Sequence, residues 1–311
     1  NLNFFPLSGI SNTQTITCNE SGYYAKYFSD RYGFNNPDFE WDQKDIQFLL
    51  IGDSYTHGAC VNRPNDIGSV LRKLSKKSVI NLGYAGNGPL IEFASLREYF
   101  PKAKVRNIIW IYLEQNDISN LNNELKNKIL KMYLSDDTFS QKLIYKQKNI
   151  DEMLNEKISN SFMIKDKKNI LIDNVKDFFL LRKLKGTFYE NPFEKDIKLE
   201  EEIENYKLNY NYKKFQEILK KTKKIADKKN SKLYFVYLPD YFRFTEKYNQ
   251  YSYFFIKKIV NDLNIKFIDI KEYMENQNDP LNFYPFRNQG HFTIEGYKKI
   301  SNEIFKYVKN N

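Results

Sequence analysis

A serine that follows a buried apolar run is the residue of this sequence whose position best suits nucleophilic chemistry. Ser54 lies in the segment GDSYTHG at 52–58, directly after the apolar run QFLLIG at 47–52. A serine that leaves a strand and opens a helix has its hydroxyl exposed beside free backbone N–H groups and the positive end of the helix. This position suits a nucleophile whose intermediate carries an oxyanion, although a turn capped by Ser54 gives the same pattern.

Three further segments carry residue types that would complete an acyl-transfer site around this serine. The Gly-rich segment NLGYAGNG at 81–88 would let the backbone N–H of Gly86 approach a substrate oxygen closely. Asn116 follows the apolar run NIIWIYL at 107–113, and its side-chain N–H can donate to a developing negative charge. His291 precedes the last predicted helix and could act as general base. Taken singly, these residues are more typical of a tight turn, a helix cap and a structural histidine.

The elements that must position these residues form a parallel α/β pattern. Continuous apolar runs predict strands buried on both faces, and helical segments with short connections lie between them. The predicted strands are 47–52, 78–83, 107–113, 232–239 and 266–270. The predicted helices are 64–76, 89–100, 246–262 and 293–309. Ligands bind at the carboxyl ends of the strands in such sheets, which is where Ser54, Gly86 and Asn116 lie.

Two stretches lack this rhythm of strands and helices. Residues 1–45 have little periodicity and predict a loop-rich N-terminal extension with short strands. Residues 46–311 are predicted to form the α/β domain, interrupted by a mostly helical insertion at about 119–230. Within the insertion, NILI at 169–172 is a weak strand candidate.

Together, the four segments resemble those of the SGNH (GDSL-type) hydrolase superfamily, which is named for a Ser, a Gly, an Asn and a His in separated blocks. The resemblance covers about 47–117 and 231–311, a little over half of the chain. It implies a flavodoxin-like three-layer α/β/α fold around a central five-stranded parallel sheet. It also implies site roles, which are nucleophile and oxyanion donor for Ser54, oxyanion donors for Gly86 and Asn116, and base for His291.

One position departs from the superfamily pattern, which usually has an Asp three residues before the His. Here that position is Asn288. An Asn can fix a tautomer of the imidazole, but it cannot stabilise an imidazolium as a carboxylate does. Three alternatives stay open: a Ser–His dyad helped by Asn288 or a backbone carbonyl, a carboxylate from elsewhere, or a site that has lost catalysis. The candidate carboxylates are Glu40, Asp269 and Asp279.

Two residues beside Ser54 need separate interpretation. His57 lies three residues after Ser54, so a helix would place both side chains on one face. Side chains on adjacent turns point outward side by side, so we expect His57 to pack or to line the cleft rather than to act as the base. Asp53 is expected to be a structural hydrogen-bonding residue and not the acid of a triad.

The cysteine and histidine counts exclude several classes of site. With 2 Cys and 2 His, the chain cannot form a zinc ribbon, an iron–sulfur site or a disulfide-dense scaffold, and we expect no metal and no cofactor. If the chain is exported, a Cys18–Cys60 disulfide would tie the N-terminal extension to the core; if it is cytosolic, both are small buried residues.

The charge is basic, with 49 Lys+Arg against 39 Asp+Glu and a net charge of +10. The lysines are scattered through helical segments as solvated faces, so we expect no nucleic-acid partner. The sequence contains no apolar run long enough to span a membrane, and it begins at Asn1, so a membrane anchor upstream of it is an open alternative. We expect the bacterial periplasm or cell envelope rather than the cytoplasm, and the oligomeric state stays open.

These observations favour a serine esterase or acyltransferase acting on O-acyl groups, with O-acetyl groups on carbohydrate as the expected substrate. Aromatic side chains in the loops could stack on sugar rings, or could simply anchor the N-terminal extension to the core. They are Tyr23, Tyr24, Tyr27, Phe28, Tyr241, Phe242 and Phe244. The alternatives are a lipid or thioester hydrolase on the same site and a non-catalytic glycan-binding module with a decayed site.

Overall fold

A five-stranded parallel sheet forms the centre of the protein in a computed structural model that describes residues 4–167, 197–245 and 250–310. The strand order is β4-β3-β5-β6-β7. The strands are β3 (Asp45–Gly52), β4 (Ser78–Asn81), β5 (Lys104–Leu113), β6 (Lys232–Leu238) and β7 (Lys266–Asp269). The predicted strands and their parallel arrangement are confirmed.

Helices cover both faces of this sheet. Their bounds are α1 (Ser54–His57), α2 (Ile67–Ser75), α3 (Pro89–Tyr99), α4 (Asp117–Glu124), α5 (Lys128–Ser135), α6 (Gln147–Lys167), α7 (Ile197–Lys228), α8 (Tyr251–Asp262), α9 (Ile270–Glu275) and α10 (Ile294–Lys309). Side chains alternate between the faces, so that Ile108 and Trp110 of β5 pack with α3 and α7 while Ile109 and Ile111 pack with α2 and α10. The result is the predicted three-layer α/β/α architecture.

The helix boundaries follow local capping. The predicted helix 64–76 begins at Ile67 because the Asp66 carboxylate accepts the N–H of Ser69 at 2.9 Å and so caps the chain there. Pro89 occupies the first turn of α3, as its missing N–H allows. Within the described residues, the helix predicted at 246–262 begins at Tyr251.

The stretch predicted as an insertion is mostly helical where it is described, through α4 to α7, with loops and a short 3-10 turn between α5 and α6. The strand candidate at 169–172 lies outside the described residues. Among the helices that are described, none combines the length and the apolar character that a membrane span requires.

The N-terminal extension contains a short antiparallel hairpin of β1 (Gln14–Ile16) and β2 (Lys26–Phe28). The loop of this hairpin, residues 17–25, is closed by two backbone hydrogen bonds, Thr17 N–H to Ala25 O and Ala25 N–H to Cys18 O, both 2.8 Å. Tyr27 of β2 is buried. The hairpin is therefore packed on the domain through the buried side chain of Tyr27.

Candidate active site

Ser54 lies at the turn between β3 and α1, at the carboxyl edge of the sheet. Asp53 caps this helix, since its carboxylate accepts the N–H of Tyr55 at 2.9 Å. Gly52 makes the turn at φ 155°, and a Cβ there would lie 2.6 Å from the carbonyl oxygen of Ile111. The close approach of β3, β5 and α1 thus leaves the Ser54 hydroxyl at the sheet edge rather than inside the core.

His291 faces this hydroxyl from the loop before α10. Its Nε2 lies 2.8 Å from Ser54 Oγ. Tyr55 holds this loop in place, because its hydroxyl donates to Gly290 O at 2.8 Å. The centroid of its ring also lies 4.8 Å from that of the His291 imidazole. The serine and the histidine predicted as nucleophile and base are therefore brought together in hydrogen-bonding geometry.

A carboxylate completes the arrangement, and it comes from the hairpin loop of the N-terminal extension. Glu20 Oε1 and Oε2 lie 3.0 and 3.2 Å from His291 Nδ1, and Oε2 also accepts the backbone N–H of His291 at 2.5 Å. Gly290 makes room for it, because a Cβ there would lie 2.7 Å from Glu20 Oε2. An acceptor at Nδ1 holds the proton on that nitrogen and leaves the Nε2 lone pair to accept the proton of Ser54.

The contacts of Glu20 with His291 favour the negatively charged form of its carboxyl group. Burial raises the pKa of the Glu20 carboxyl, but the hydrogen bonds and positive charge of His291 outweigh it and lower the pKa overall. Glu20 is therefore ionised at neutral pH, where it can stabilise the imidazolium that forms when His291 takes a proton.

None of the carboxylates proposed from the sequence takes this position, and neither does Asn288. Asn288 is exposed, and its backbone N–H donates to Pro285 O. The candidate carboxylates bind elsewhere: Glu40 contacts Arg72 and Ser78, Asp269 contacts Tyr253 and Lys257, and Asp279 pairs with Arg287. Those predictions were wrong because the carboxylate beside His291 belongs to Glu20, which lies in the loop of the N-terminal hairpin.

Two donors predicted for an oxyanion lie at the neighbouring strand ends. Gly86 is exposed in a turn at φ 84°, and no described residue accepts its N–H. The Asn116 amide nitrogen lies 3.5 Å from Asp53 Oδ2, and Ser54 Oγ lies at the same distance from that oxygen. Asp53 therefore lies between the Ser54 hydroxyl and the Asn116 amide, and burial raises the pKa of its carboxyl.

Glu124 holds the loop that carries Gly86 against the sheet. Its two carboxyl oxygens accept the backbone N–H groups of Gly88, at 2.6 Å, and Leu90, at 2.9 Å. Burial raises the pKa of Glu124 to about 7, although these backbone hydrogen bonds oppose the shift. The loop and the start of α3 are thus anchored by a side chain of α4, and no pattern in the sequence indicates this link.

His57 is buried, and neither of its ring nitrogens has a hydrogen-bond partner among the described residues. Its ring stacks on Tyr84 with centroids 5.0 Å apart, and Tyr27 meets it edge-on at the same distance. Burial, together with the positive charge of His291, lowers the pKa of His57 to about 4. The expectation that His57 packs rather than acts as the base agrees with this position.

Cys18 and Cys60 are joined in a disulfide that lies against His291. Cys60 Sγ is 3.3 Å from His291 Nδ1. Ligand atoms of both cysteines, Glu20 and His291 lie within 4.8 Å of one another, as a metal site would require. Because the two sulfurs are bonded to each other, they are not thiolates available to a metal ion.

Sequence reasoning missed Glu20 and Tyr55. The signal for Glu20 was the pair of cysteines, since Cys18 lies two residues before it and Cys60 lies six residues after Ser54. A bridge between them places Glu20 close to the nucleophile. Tyr55 gave no signal, because its contact with Gly290 joins residues 235 positions apart.

No protein-family model matches the chain, and no curated protein matches it. It is similar to solved structures at low identity, including a lipase/acylhydrolase from Enterococcus faecalis (13% identity, TM-score 0.43, 85% of this chain and 96% of that one). An acetyl xylan esterase, AlAXEase, is 12% identical with a TM-score of 0.41, and the match covers 85% of this chain and 100% of that one. A lipolytic protein of the G-D-S-L family from Desulfitobacterium hafniense DCB-2 is 12% identical with a TM-score of 0.40, and the match covers 85% of this chain and 99% of that one.

Proposed function

We propose that this protein is a serine esterase or acyltransferase that acts on O-acyl groups through an acyl-enzyme on Ser54. The observation that carries the proposal is the chain of contacts from Ser54 Oγ to His291 Nε2, at 2.8 Å, and from His291 Nδ1 to Glu20, at 3.0 Å. This is the arrangement of nucleophile, base and orienting carboxylate that activates a serine.

The reaction would proceed in two steps. In the first, His291 takes the proton of Ser54 as its Oγ attacks the ester carbonyl, and the oxyanion accepts hydrogen bonds from the N–H groups of Ser54 and Gly86 and from the Asn116 amide. His291 then gives its proton to the departing alcohol. In the second step, His291 activates water or an acceptor hydroxyl, which attacks the acyl-enzyme and releases Ser54.

The carboxylate of Glu20 beside His291 argues against the alternative of a decayed, non-catalytic site. That alternative followed from Asn288, which leaves no carboxylate in the usual place. Glu20 fills the role from another element, and its pKa is lowered by its contacts with His291. Binding a glycan without catalysis does not require a serine, a histidine and a carboxylate that are aligned by hydrogen bonds.

We propose carbohydrate as the carrier of the acyl group, with O-acetyl as that group. Support comes from exposed aromatic side chains in the segments that carry Glu20 and His291, which can stack on sugar faces. Tyr24 is 68% exposed in the loop that carries Glu20, and Phe286, five residues before His291, is 74% exposed. Tyr27, by contrast, packs on His57, so it belongs to the group that anchors the N-terminal extension.

The proposal is tested with a series of nitrophenyl esters of increasing chain length and with O-acetylated oligosaccharides, in the presence and absence of free sugar acceptors. We expect preference for acetate, release of acetate from the oligosaccharides, and labelling by a fluorophosphonate probe that disappears in Ser54→Ala. Preference for long acyl chains would favour the lipid or thioester alternative. Absence of both labelling and hydrolysis in the wild type would refute an enzyme.

A further inference from the structure

The disulfide lies where it can control the carboxylate of the triad. Cys18 is in the same loop as Glu20, and Cys60 is in the segment that follows Ser54. The two Cα atoms are 5.0 Å apart although 42 positions separate them in sequence. The bridge therefore joins the element that carries the acid directly to the element that carries the nucleophile.

Apart from this bridge, the contacts that anchor the Glu20 loop among the described residues lie mostly at its ends, where Ala25 is buried and the N–H of the following Lys26 donates to Asn62 Oδ1 at 2.8 Å. Two backbone hydrogen bonds close the base of the loop, and a turn bond joins Gly22 N–H to Asn19 O at 3.1 Å. Thr17 Oγ accepts the Cys60 N–H at 3.4 Å, a long contact. The Glu20 side chain itself is 33% exposed, and its hydrogen bonds in the described residues go to His291. The loop lies outside the buried clusters that pack the sheet.

We propose that the Cys18–Cys60 disulfide is a positioning element of the catalytic triad, which holds Glu20 on His291 and makes full turnover depend on the oxidised bridge. The inference rests on the proposed function. A triad acid that lay three residues before the histidine would be positioned by its own loop, whereas Glu20 reaches the imidazole from a hairpin whose loop needs a cross-link. The bridge substitutes for that missing local constraint.

Reduction should release the acid without unfolding the sheet. A dithiol reductant gives two electrons and two protons to the bridge, leaving thiols at Cys18 and Cys60, and is itself oxidised to a disulfide. The loop is then held by its few hydrogen bonds, and the Cys60 thiol, now beside His291 Nδ1, is a weak acceptor. A thiol cannot replace a carboxylate as partner of an imidazolium, so turnover should fall.

The test compares oxidised and reduced wild type with nitrophenyl acetate, with EDTA present so that the released thiols cannot capture a metal ion. We expect kcat to fall at least tenfold on reduction, KM to stay within about twofold, and reoxidation to restore kcat. Cys18→Ser/Cys60→Ser should resemble the reduced wild type. A kcat within twofold after complete reduction would overturn the inference.

The variant Glu20→Gln separates positioning from a general effect on structure. If the bridge acts through Glu20, reduction should change kcat of this variant by less than twofold, because the acid it positions is already absent. An equal fold-loss in the wild type and in Glu20→Gln would mean that the bridge supports the site in some other way, and would contradict the inference.

A spectroscopic readout keeps the inference testable even if the proposed function fails. The chain has 2 His, and His57→Phe leaves one, so its ring resonances in side-chain ¹H–¹⁵N spectra are assigned without ambiguity. We expect a protected Nδ1–H signal of His291 in the oxidised protein and its loss on reduction. An unchanged signal would refute positioning by the bridge, whatever the enzyme's substrate.

Discussion

The two halves of the candidate active site are held in place in different ways. Ser54, Gly86 and Asn116 follow strands of a buried parallel sheet, and their surroundings are fixed by backbone geometry and by buried carboxylates such as Glu124. Glu20 comes from a hairpin loop at the surface, fastened by a disulfide. In the proposed function, the core would position the groups that touch substrate, whereas a tethered loop would position the carboxylate that acts through His291.

The largest effect is expected for the two residues that would exchange a proton, Ser54 of the core-held half and His291, which faces it from the loop before α10. Ser54→Ala and His291→Ala should each lower kcat by about 10⁴–10⁶-fold, since nucleophile and base work as a unit. The double variant should be no more than about tenfold slower than either single one, measured with nitrophenyl acetate. Losses that multiply in the double variant would show that the two residues act independently, and the comparison would fail.

A smaller loss is expected for the donor at the third strand end. Asn116→Ala should lower kcat by about 10²–10³-fold with little change in KM, because the amide contacts charge that develops in the transition state. Gln115→Ala, at an exposed neighbouring position, is the matched control and should be near wild type. Equal activity of both variants would remove Asn116 from the oxyanion site.

The tethered half can be disturbed by a single methyl group. Gly290→Ala places a Cβ 2.7 Å from Glu20 Oε2, so the flexible carboxylate must shift away from His291 while the backbone stays. We expect kcat to fall about 10–100-fold with the thermal midpoint unchanged within a few degrees. The exposed Gln289→Ala serves as control. A fall in the thermal midpoint that accounts for the lost activity would contradict this explanation.

The smallest catalytic effect is expected at the junction of the two halves, where His57 packs between Tyr27 of the hairpin and Tyr84 of the Gly86 loop. His57→Phe keeps an aromatic ring there, so kcat at pH 7 should stay within a few-fold of wild type. A loss comparable to that of His291→Ala would make His57 the base instead.

His57→Phe should also change how the free energy of unfolding depends on pH below about 6.5. The pKa of His57 is about 4 in the folded protein against an ordinary value of 6.5, so between these values the unfolded chain takes up a proton that the folded chain does not. Stability is therefore lost as the pH falls from about 6.5 to about 4. By urea unfolding at pH 7 and 4.5, His57→Phe should reduce that loss by about 2–3 kcal/mol.

The contrast between the halves also explains how far the sequence could predict the molecule. Apolar runs with short connections predicted β3 to β7, and the residues after β3, β4 and β5 were predicted as site residues because parallel strands bring their ends to one edge. These predictions depend on local patterns. The helix predicted at Pro64 begins at Ile67 because a single side chain, Asp66, caps it, and such caps shift boundaries by a few residues.

The position of Glu20 depended on a contact that spans most of the chain. It precedes His291 by 271 positions and lies in a segment with no periodic pattern, so neither spacing nor strand order indicated it. The carboxylates chosen instead, Glu40, Asp269 and Asp279, were already engaged by basic or hydroxyl groups of their own. The cysteine pair was the one feature of the sequence that could have led to Glu20.

The most direct test of a triad completed by Glu20 is kcat of the oxidised Glu20→Gln variant beside that of Asn288→Ala, with nitrophenyl acetate. We expect a loss of about 10²–10⁴-fold in kcat for Glu20→Gln, with KM within a few-fold, because Gln cannot stabilise the imidazolium. We expect Asn288→Ala to stay within twofold of wild type. Near-wild-type turnover in Glu20→Gln, or a large loss in Asn288→Ala alone, would contradict a triad completed from the hairpin.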